Sequence, residues 1–309
     1  MNLRFIETFL WVARLGSFSA AAERLGATQA AVSHRVATLE DELGVTLFDR
    51  DPRAVTLTPI GRQAVPRAEE IMLAVGAFRL AIADPGRLEG TISIGTNDVI
   101  SHTMLPRIIG RVRERFPGIT LDLQIETSAN IARGLVERRI DVAIAMGPIE
   151  ASRVVNLDFG SFESVWVASP SLGLSGRGTL GLADLLPRSL MTFSRESPPH
   201  LMLLRQLADA GLAASPISNV NSLITMMALT VDGFGVAALP RLVVEQHLAA
   251  GTLEALDVQP AFPALVHHLS YVEQNDSPVV RAIASIAFEA AAEAIRPGVF
   301  ERKGTSDGR

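Results

Sequence analysis

Four side chains within two helical turns have the types and spacing to read a nucleic acid: Gln29, Ser33, His34 and Arg35. Glutamine can bond adenine bidentately, a serine hydroxyl can donate or accept, and His34 and Arg35 can reach a guanine edge or a phosphate. Arg50 and Arg53 flank Asp51-Pro52, where a hairpin tip would carry them to the phosphate backbone or into the minor groove. Ser17 and Ser19, N-cap types at the head of the preceding helix, complete this DNA-binding set.

A second group of polar residues lies far along the chain, just after β-prone runs. In α/β sheets ligands sit beyond the carboxyl ends of the strands. That rule nominates Thr96, Asn97, Ser101 and His102 after one strand, Thr127 and Ser128 after the next, Met146 after a third, and Ser194 and Arg195 from another region. Ser128 also reads as an N-cap, so its hydroxyl and the helix amides suit a carboxylate or sulfonate. The expected ligand is a small-molecule effector, an organic anion or polar aromatic; no cofactor is expected. Other chemistries lack support. His267 and His268 are neighbours on a strand, face opposite sides and cannot share a metal ion. There is no Gly-x-Ser-x-Gly elbow, so the chain is not expected to be an enzyme.

The elements that must position the first group can be read locally. Phe5, Phe9, Val12 and Ala13 recur on one helical face until Gly16 stops the run. A short helix follows from the serine caps and ends at Gly26. Thr28 caps a third, Gln29 to about Leu43, with Ala31, Val32, Val36 and Leu39 inward. The connection Gly26-Ala27-Thr28 is too short for parallel packing, so the third helix crosses the second steeply and projects outward. Val45 to Phe48 and Val55 to Leu57 read as a hairpin, the wing.

Thr58-Pro59 starts a long helix to about Ala83. Ala64, Ala68, Ile71, Val75, Phe78 and Ile82 follow the alternating spacing of a two-stranded coiled coil, which implies dimerisation. Pro66 lies inside this helix and implies a kink or reset. From Thr91 the pattern becomes strands alternating with helices, implying parallel sheets covered by helices. The tail after Pro297 is polar and expected to fray.

Composition bounds these readings. A chain of 309 residues exceeds one ordinary core, and 48% hydrophobic with 20% charged residues describes a folded protein. No apolar run is long enough for a membrane span, no leader pattern opens the chain, and there are no cysteines, so a cytoplasmic protein with no membrane partner is expected. A net charge of −5 hides an uneven distribution: residues 1–67 carry eight Arg against seven acids, and residues 91–309 carry 18 basic residues against 22 acids. Since the N-terminal excess is only +1, a firm grip on DNA needs more than one copy.

Gly16-Ser17-Phe18-Ser19-Ala20-Ala21-Ala22-Glu23-Arg24-Leu25, then Thr28-Gln29-Ala30-Ala31-Val32-Ser33, resembles the LysR-type transcriptional regulators. Leu39-Glu40, Gly44 to Arg50 and Leu57 to Gly61 extend the likeness, as do Asp141 to Ala145 and Asp232 to Pro240 further on. Ala30 stands where the family usually has proline, and Asp51-Pro52 replaces a commoner Gly-containing turn. The resemblance implies a mixed fold: an all-α winged helix-turn-helix (1–58), a linker and dimerisation helix (59–87), and an α/β effector-binding domain (88–309) of two lobes, similar to periplasmic binding proteins. Lobe one would comprise about 88–162 and 267–296, lobe two about 163–266. The implied partners are double-stranded DNA, a small-molecule effector, and further copies of the chain as a homodimer or homotetramer. A solute-binding transport component would have no use for the first 60 residues, and an enzyme would need an acid–base pair that the sequence does not signal.

Overall fold

The structure, a computed structural model, describes residues 2–51, 54–82, 89–212, 217–272, 278–294 and 299–301. The chain divides into two compact units near residue 85.

The N-terminal unit starts with α1 (Leu3–Leu15), which Asn2 caps and Gly16 ends in the left-handed conformation at φ 59°. The helices α2 (Phe18–Arg24) and α3 (Gln29–Leu43) follow, capped by Ser17 and Thr28 respectively. A hairpin of β1 (Phe48–Asp51) and β2 (Ala54–Leu57) pairs Phe48 with Leu57. The helix α4 (Pro59–Ile82) runs on through Pro66 without a reset. Phe9, Val12, Val32, Val36, Leu39, Leu47 and Phe48 form the core, with the Phe9 and Phe18 rings edge-on to Phe48 at 5.6 and 5.7 Å.

The first wing strand begins at Phe48 and not at the expected Val45, for a physical reason. Glu40 on α3 is buried, and its Oε1 accepts from the amides of Leu47 (2.7 Å) and Phe48 (3.2 Å). Those two donors are thus satisfied by a side chain before the hairpin ladder takes over. The Leu47 carbonyl accepts from the Thr58 amide at 3.0 Å, and the Thr58 hydroxyl caps α4 by accepting from Gly61 N at 2.9 Å. Leu47 therefore joins α3, the wing and α4.

The C-terminal unit opens with β3 (Gly90–Thr96), α5 (Asp98–Thr103), α6 (Leu105–Arg115), β4 (Ile119–Ile125), α7 (Ser128–Val136), β5 (Val142–Met146) and β6 (Val154–Phe162). The chain crosses to a second lobe through β7 (Ser164–Ala168), β8 (Leu180–Gly181), α8 (Leu182–Leu185), β9 (Leu190–Thr192), α9 (Pro198–Asp209), β10 (Ile217–Asn219), α10 (Leu223–Val231), β11 (Val236–Pro240), α11 (Arg241–Ala249), β12 (Glu254–Leu256) and β13 (Val258–Gln259). It returns through β14 (Leu265–Val272), α12 (Pro278–Glu293) and β15 (Phe300–Glu301).

Both principal sheets are mixed, which corrects the parallel expectation. Lobe one has the order β15-β6-β14-β5-β3-β4, with β3 parallel to β4 and β5 but β14 antiparallel to both β5 and β6. Lobe two has the order β10-β9-β11-β7-β12, with β9, β10 and β11 parallel and β7 antiparallel to its neighbours. In each sheet the strand that directly follows a lobe crossing, β14 or β7, runs against the parallel members. A strand that leaves or re-enters a lobe is not bound by the right-handed β-α-β step that keeps the others parallel.

The tail expectation is corrected at residues 299–301, while residues 302–309 lie outside the described residues. Phe300 is fully buried, its ring lies 4.7 Å from that of Phe162, and β15 pairs with β6. Val299 O accepts from Glu163 N at 3.1 Å, so this last strand holds the point where the chain leaves lobe one.

Candidate functional site

The α3 helix presents the predicted reading surface. Gln29 and His34 are exposed, Ser33 and Arg35 half-exposed, and none of these four side chains bonds to another described residue. The helix is held from behind: Val32, Val36 and Leu39 are in the core, and Thr28 Oγ1 accepts from Ala31 N at 3.2 Å. Gly26, at φ 58°, supplies the left-handed turn between α2 and α3, a conformation that costs a side-chain-bearing residue roughly 1–2 kcal/mol. Ser19 is exposed on α2, whereas Ser17 is half-buried and its hydroxyl accepts from Ala20 N at 3.2 Å, so Ser17 caps a helix first of all. Arg50 lies on β1 opposite Val55. Arg53 lies outside the described residues.

The expected coiled-coil seam on α4 divides into two stretches. Ala68 is buried, and Ala64 and Ile71 pack against the same N-terminal core, so the first half of the seam serves its own unit. Further along, the Phe78 side chain is 65% exposed.

In the C-terminal unit a cavity of about 610 Å³ lies beyond the strand ends of the two lobes. Of the nominated residues, Asn97, Thr127, Ser128, Met146, Ser194 and Arg195 line it. Three do not. Thr96 is fully buried with its hydroxyl on Ile144 O at 3.1 Å, and the Ser101 hydroxyl and His102 Nδ1 turn back to Asp98 O at 2.9 and 2.7 Å. The sequence reading missed α5, which places Ser101 and His102 a full turn past the strand end. The Ser128 cap is corrected as well. The cap of α7 is Thr127, accepting from Asn130 N at 3.3 Å, while Ser128 Oγ accepts from Met146 N at 3.2 Å and ties the helix head to the end of β5. The first two amides of α7, those of Ser128 and Ala129, have no acceptor within the helix, and both residues line the cavity.

Sequence reasoning missed the acidic lining: Asp98, Glu126 and Glu196 all belong to it, each next in the chain to a nominated residue or strand end. Asp98 reaches across the lobes, where its Oδ2 accepts from Leu223 N at 2.8 Å, at the start of α10. Arg195 forms no ion pair with a described residue. Burial, followed by the positive charge of Arg195, lowers the pKa of nearby His200.

Behind the lining sits His267, fully buried on β14. Its Nδ1 is 3.0 Å from Leu265 O, and its Nε2 is 3.0 Å from Asn97 Nδ2. A carbonyl can only accept and an amide nitrogen can only donate, so Nδ1 carries the proton and Nε2 accepts. Burial pushes the pKa of this histidine down to about 4, which keeps the ring neutral. Asn97 is thereby fixed at both ends, because its Oδ1 accepts from Ile100 N at 3.2 Å and caps α5. Both ring nitrogens of His267 are engaged, and among the described residues no group of three His, Cys, Asp or Glu could hold a metal ion.

A winged helix-turn-helix joined in one chain to a two-lobed α/β unit with a cleft cavity defines a DNA-binding transcription regulator with an effector-binding domain. The bacterial regulatory helix-turn-helix family of lysR proteins matches residues 3–62, and the LysR substrate binding domain matches residues 85–292. The chain belongs to the LysR-type transcriptional regulators. A probable hydrogen peroxide-inducible genes activator of Streptomyces viridosporus is 29% identical over 248 residues, 79% of each chain. The structure of CrgA, a LysR-type regulator from Neisseria meningitidis, covers 94% of this chain and 99% of its own at 26% identity and a TM-score of 0.68. The fold of full-length CbnR, solved in complex with its target DNA, is also similar, at 21% identity and a TM-score of 0.52 over 94% of this chain and all of that one (100%). No helix among the described residues is long and apolar enough to cross a membrane.

Proposed function

We propose that the chain acts as a homo-oligomeric, non-enzymatic switch of the bacterial cytoplasm. Gln29, Ser33, His34 and Arg35 meet base edges and phosphates, and a small molecule in the cavity shifts the lobes and through them the DNA contacts. The observation that carries this reading is a set of polar side chains on α3 with no partner among the described residues, standing on a face whose opposite side is packed into the core. The 65% exposure of Phe78 on the linker helix favours a second copy alongside it. Two copies would double a basic excess of only +1.

DNase footprinting on the DNA flanking the chain's own gene tests the proposal. Protection is expected, weakening steeply with salt. Arg35→Ala and Gln29→Ala should each raise Kd by about 5- to 150-fold, the effect of losing ~1–3 kcal/mol of base or phosphate contact. Arg35→Ala should in addition make the salt dependence shallower if Arg35 sits on phosphate. Unchanged affinity in both variants would remove α3 from the interface.

A further inference from the structure

We propose that Asp98 is a latch between the two lobes, its carboxylate bonding across the cleft to the first amide of α10 and so setting the lobe angle before any effector binds; this rests on the reading that movement of the lobes is the signal. The lobes are joined covalently at two crossings, between Phe162 and Ser164 and between Gln259 and Leu265. Connections of this kind permit a hinge rotation. The angle therefore has to be fixed by contacts made away from them. Asp98 Oδ2 accepts from Leu223 N at 2.8 Å, between residues 125 apart in the chain. A carboxylate on a backbone amide makes a charge-assisted bond, stronger than a neutral one, and here it also meets the positive end of a helix.

Both ends of this bond are stiff. In lobe one Asp98 is the first residue of α5, whose cap Asn97 is held between His267 on β14 and the Ile100 amide. In lobe two Leu223 is fully buried, and Ser222 caps α10 by accepting from Thr225 N at 3.3 Å. Helix α11 of lobe two also packs against α5. The short aspartate side chain has little reach with which to absorb a displacement of either lobe. The Leu223 amide, at the first position of α10, has no acceptor within its own helix, so without Asp98 its partner must be water, which needs a wider cleft. Asn97 and Asp98 line the cavity as well, so a molecule lodged there touches the latch residue itself.

The test measures the distance between the lobes in the full chain. The sequence has no cysteine, so Arg133→Cys and Leu201→Cys place two nitroxide labels at exposed positions of α7 and α9, just past the heads of these helices on the cavity. An excess of unlabelled parent chain in the oligomer limits the reading to distances within one chain. By double electron–electron resonance, Asp98→Ala should broaden the distribution and lengthen its main distance by about 2 Å or more, the scale of a domain rearrangement. Asp98→Asn keeps an oxygen but not the charge and should fall between parent and alanine. An unchanged distribution in the alanine variant overturns the latch. If alanine instead abolishes the cooperative unfolding of the lobes, followed by Trp166 in a Trp11→Phe background, the asparagine variant decides: lengthening supports the latch and parent distances overturn it. Footprinting of the same variants separates the two readings, because lengthened distances with an unchanged footprint keep the latch and remove the step from lobe movement to DNA contact.

Discussion

Replacing Glu40 with alanine should destabilise the N-terminal unit by about 2–4 kcal/mol and reduce DNA binding accordingly. The carboxylate is 9% exposed and accepts from two backbone amides, Leu47 N and Phe48 N. Removing it leaves two buried donors without this acceptor, at roughly 1–3 kcal/mol each before any relaxation. Glu40→Gln keeps an oxygen in place, loses only the charge assistance, and should cost about 1 kcal/mol. The same junction can be tested from the other side. A Cβ on Gly61 would lie 2.0 Å from the Leu47 carbonyl oxygen, a backbone atom that cannot turn aside, so Gly61→Ala must displace α4 from the wing. The readout is available in the sequence: of the two tryptophans, Trp11 lies in the N-terminal unit and Trp166 in the other. Denaturant unfolding in a Trp166→Phe background follows the N-terminal unit alone. Equal midpoints for the parent and Glu40→Ala would show that the two bonds contribute nothing net.

The N-terminal unit was legible because each of its boundaries is set by a local rule. Ser17, Thr28 and Thr58 cap helices, and Gly16 and Gly44 end them in the left-handed conformation at φ 59° and 67°. Glu40 was not legible as a wing anchor, because a charged residue beside an apolar face reads as solvated until the chain folds back over it. The strand β6 was missed although its signal was present: Val155, Leu157 and Phe159 are buried and alternate with Asn156 and Asp158. It was passed over because it lacks a following helix, the very property that makes it a crossing strand.

The rule placing ligands at strand ends found six cavity residues and failed at Ser101 and His102, where an unforeseen helical turn carries the chain away. The acidic residues of the cavity wall were beyond reach for a different reason. Asp98, Glu126 and Glu196 come from three separate segments and two lobes, and only the closed topology brings them to one wall. Hydroxyls and one arginine, read singly, suggest an organic anion, a reading made without these three carboxylates.

As pH falls from 7 to 4, His267 should cost the C-terminal unit about 3 kcal/mol of stability. The folded protein holds this histidine at a pKa of about 4, against an ordinary value of 6.5. Between those values the unfolded chain binds a proton that the folded chain does not, so stability falls with falling pH by up to ~1.4 kcal/mol per unit. The loss begins near pH 6.5 and is complete below pH 4, where both states are protonated. Carboxylates titrate in part of the same range, so the informative quantity is the difference between parent and His267→Gln, whose amide oxygen can still accept from Asn97 and does not titrate. Unfolding followed by Trp166 in a Trp11→Phe background should show a shallower acid slope for the glutamine variant; identical slopes would mean that His267 titrates normally. The structural consequence reaches the cavity. Protonating Nε2 sets a donor against the Asn97 Nδ2 donor at 3.0 Å, and the same asparagine caps α5 through Oδ1. The residue that lines the cavity is therefore oriented by a histidine that must stay neutral, and acid should loosen the cavity wall before it unfolds the lobe.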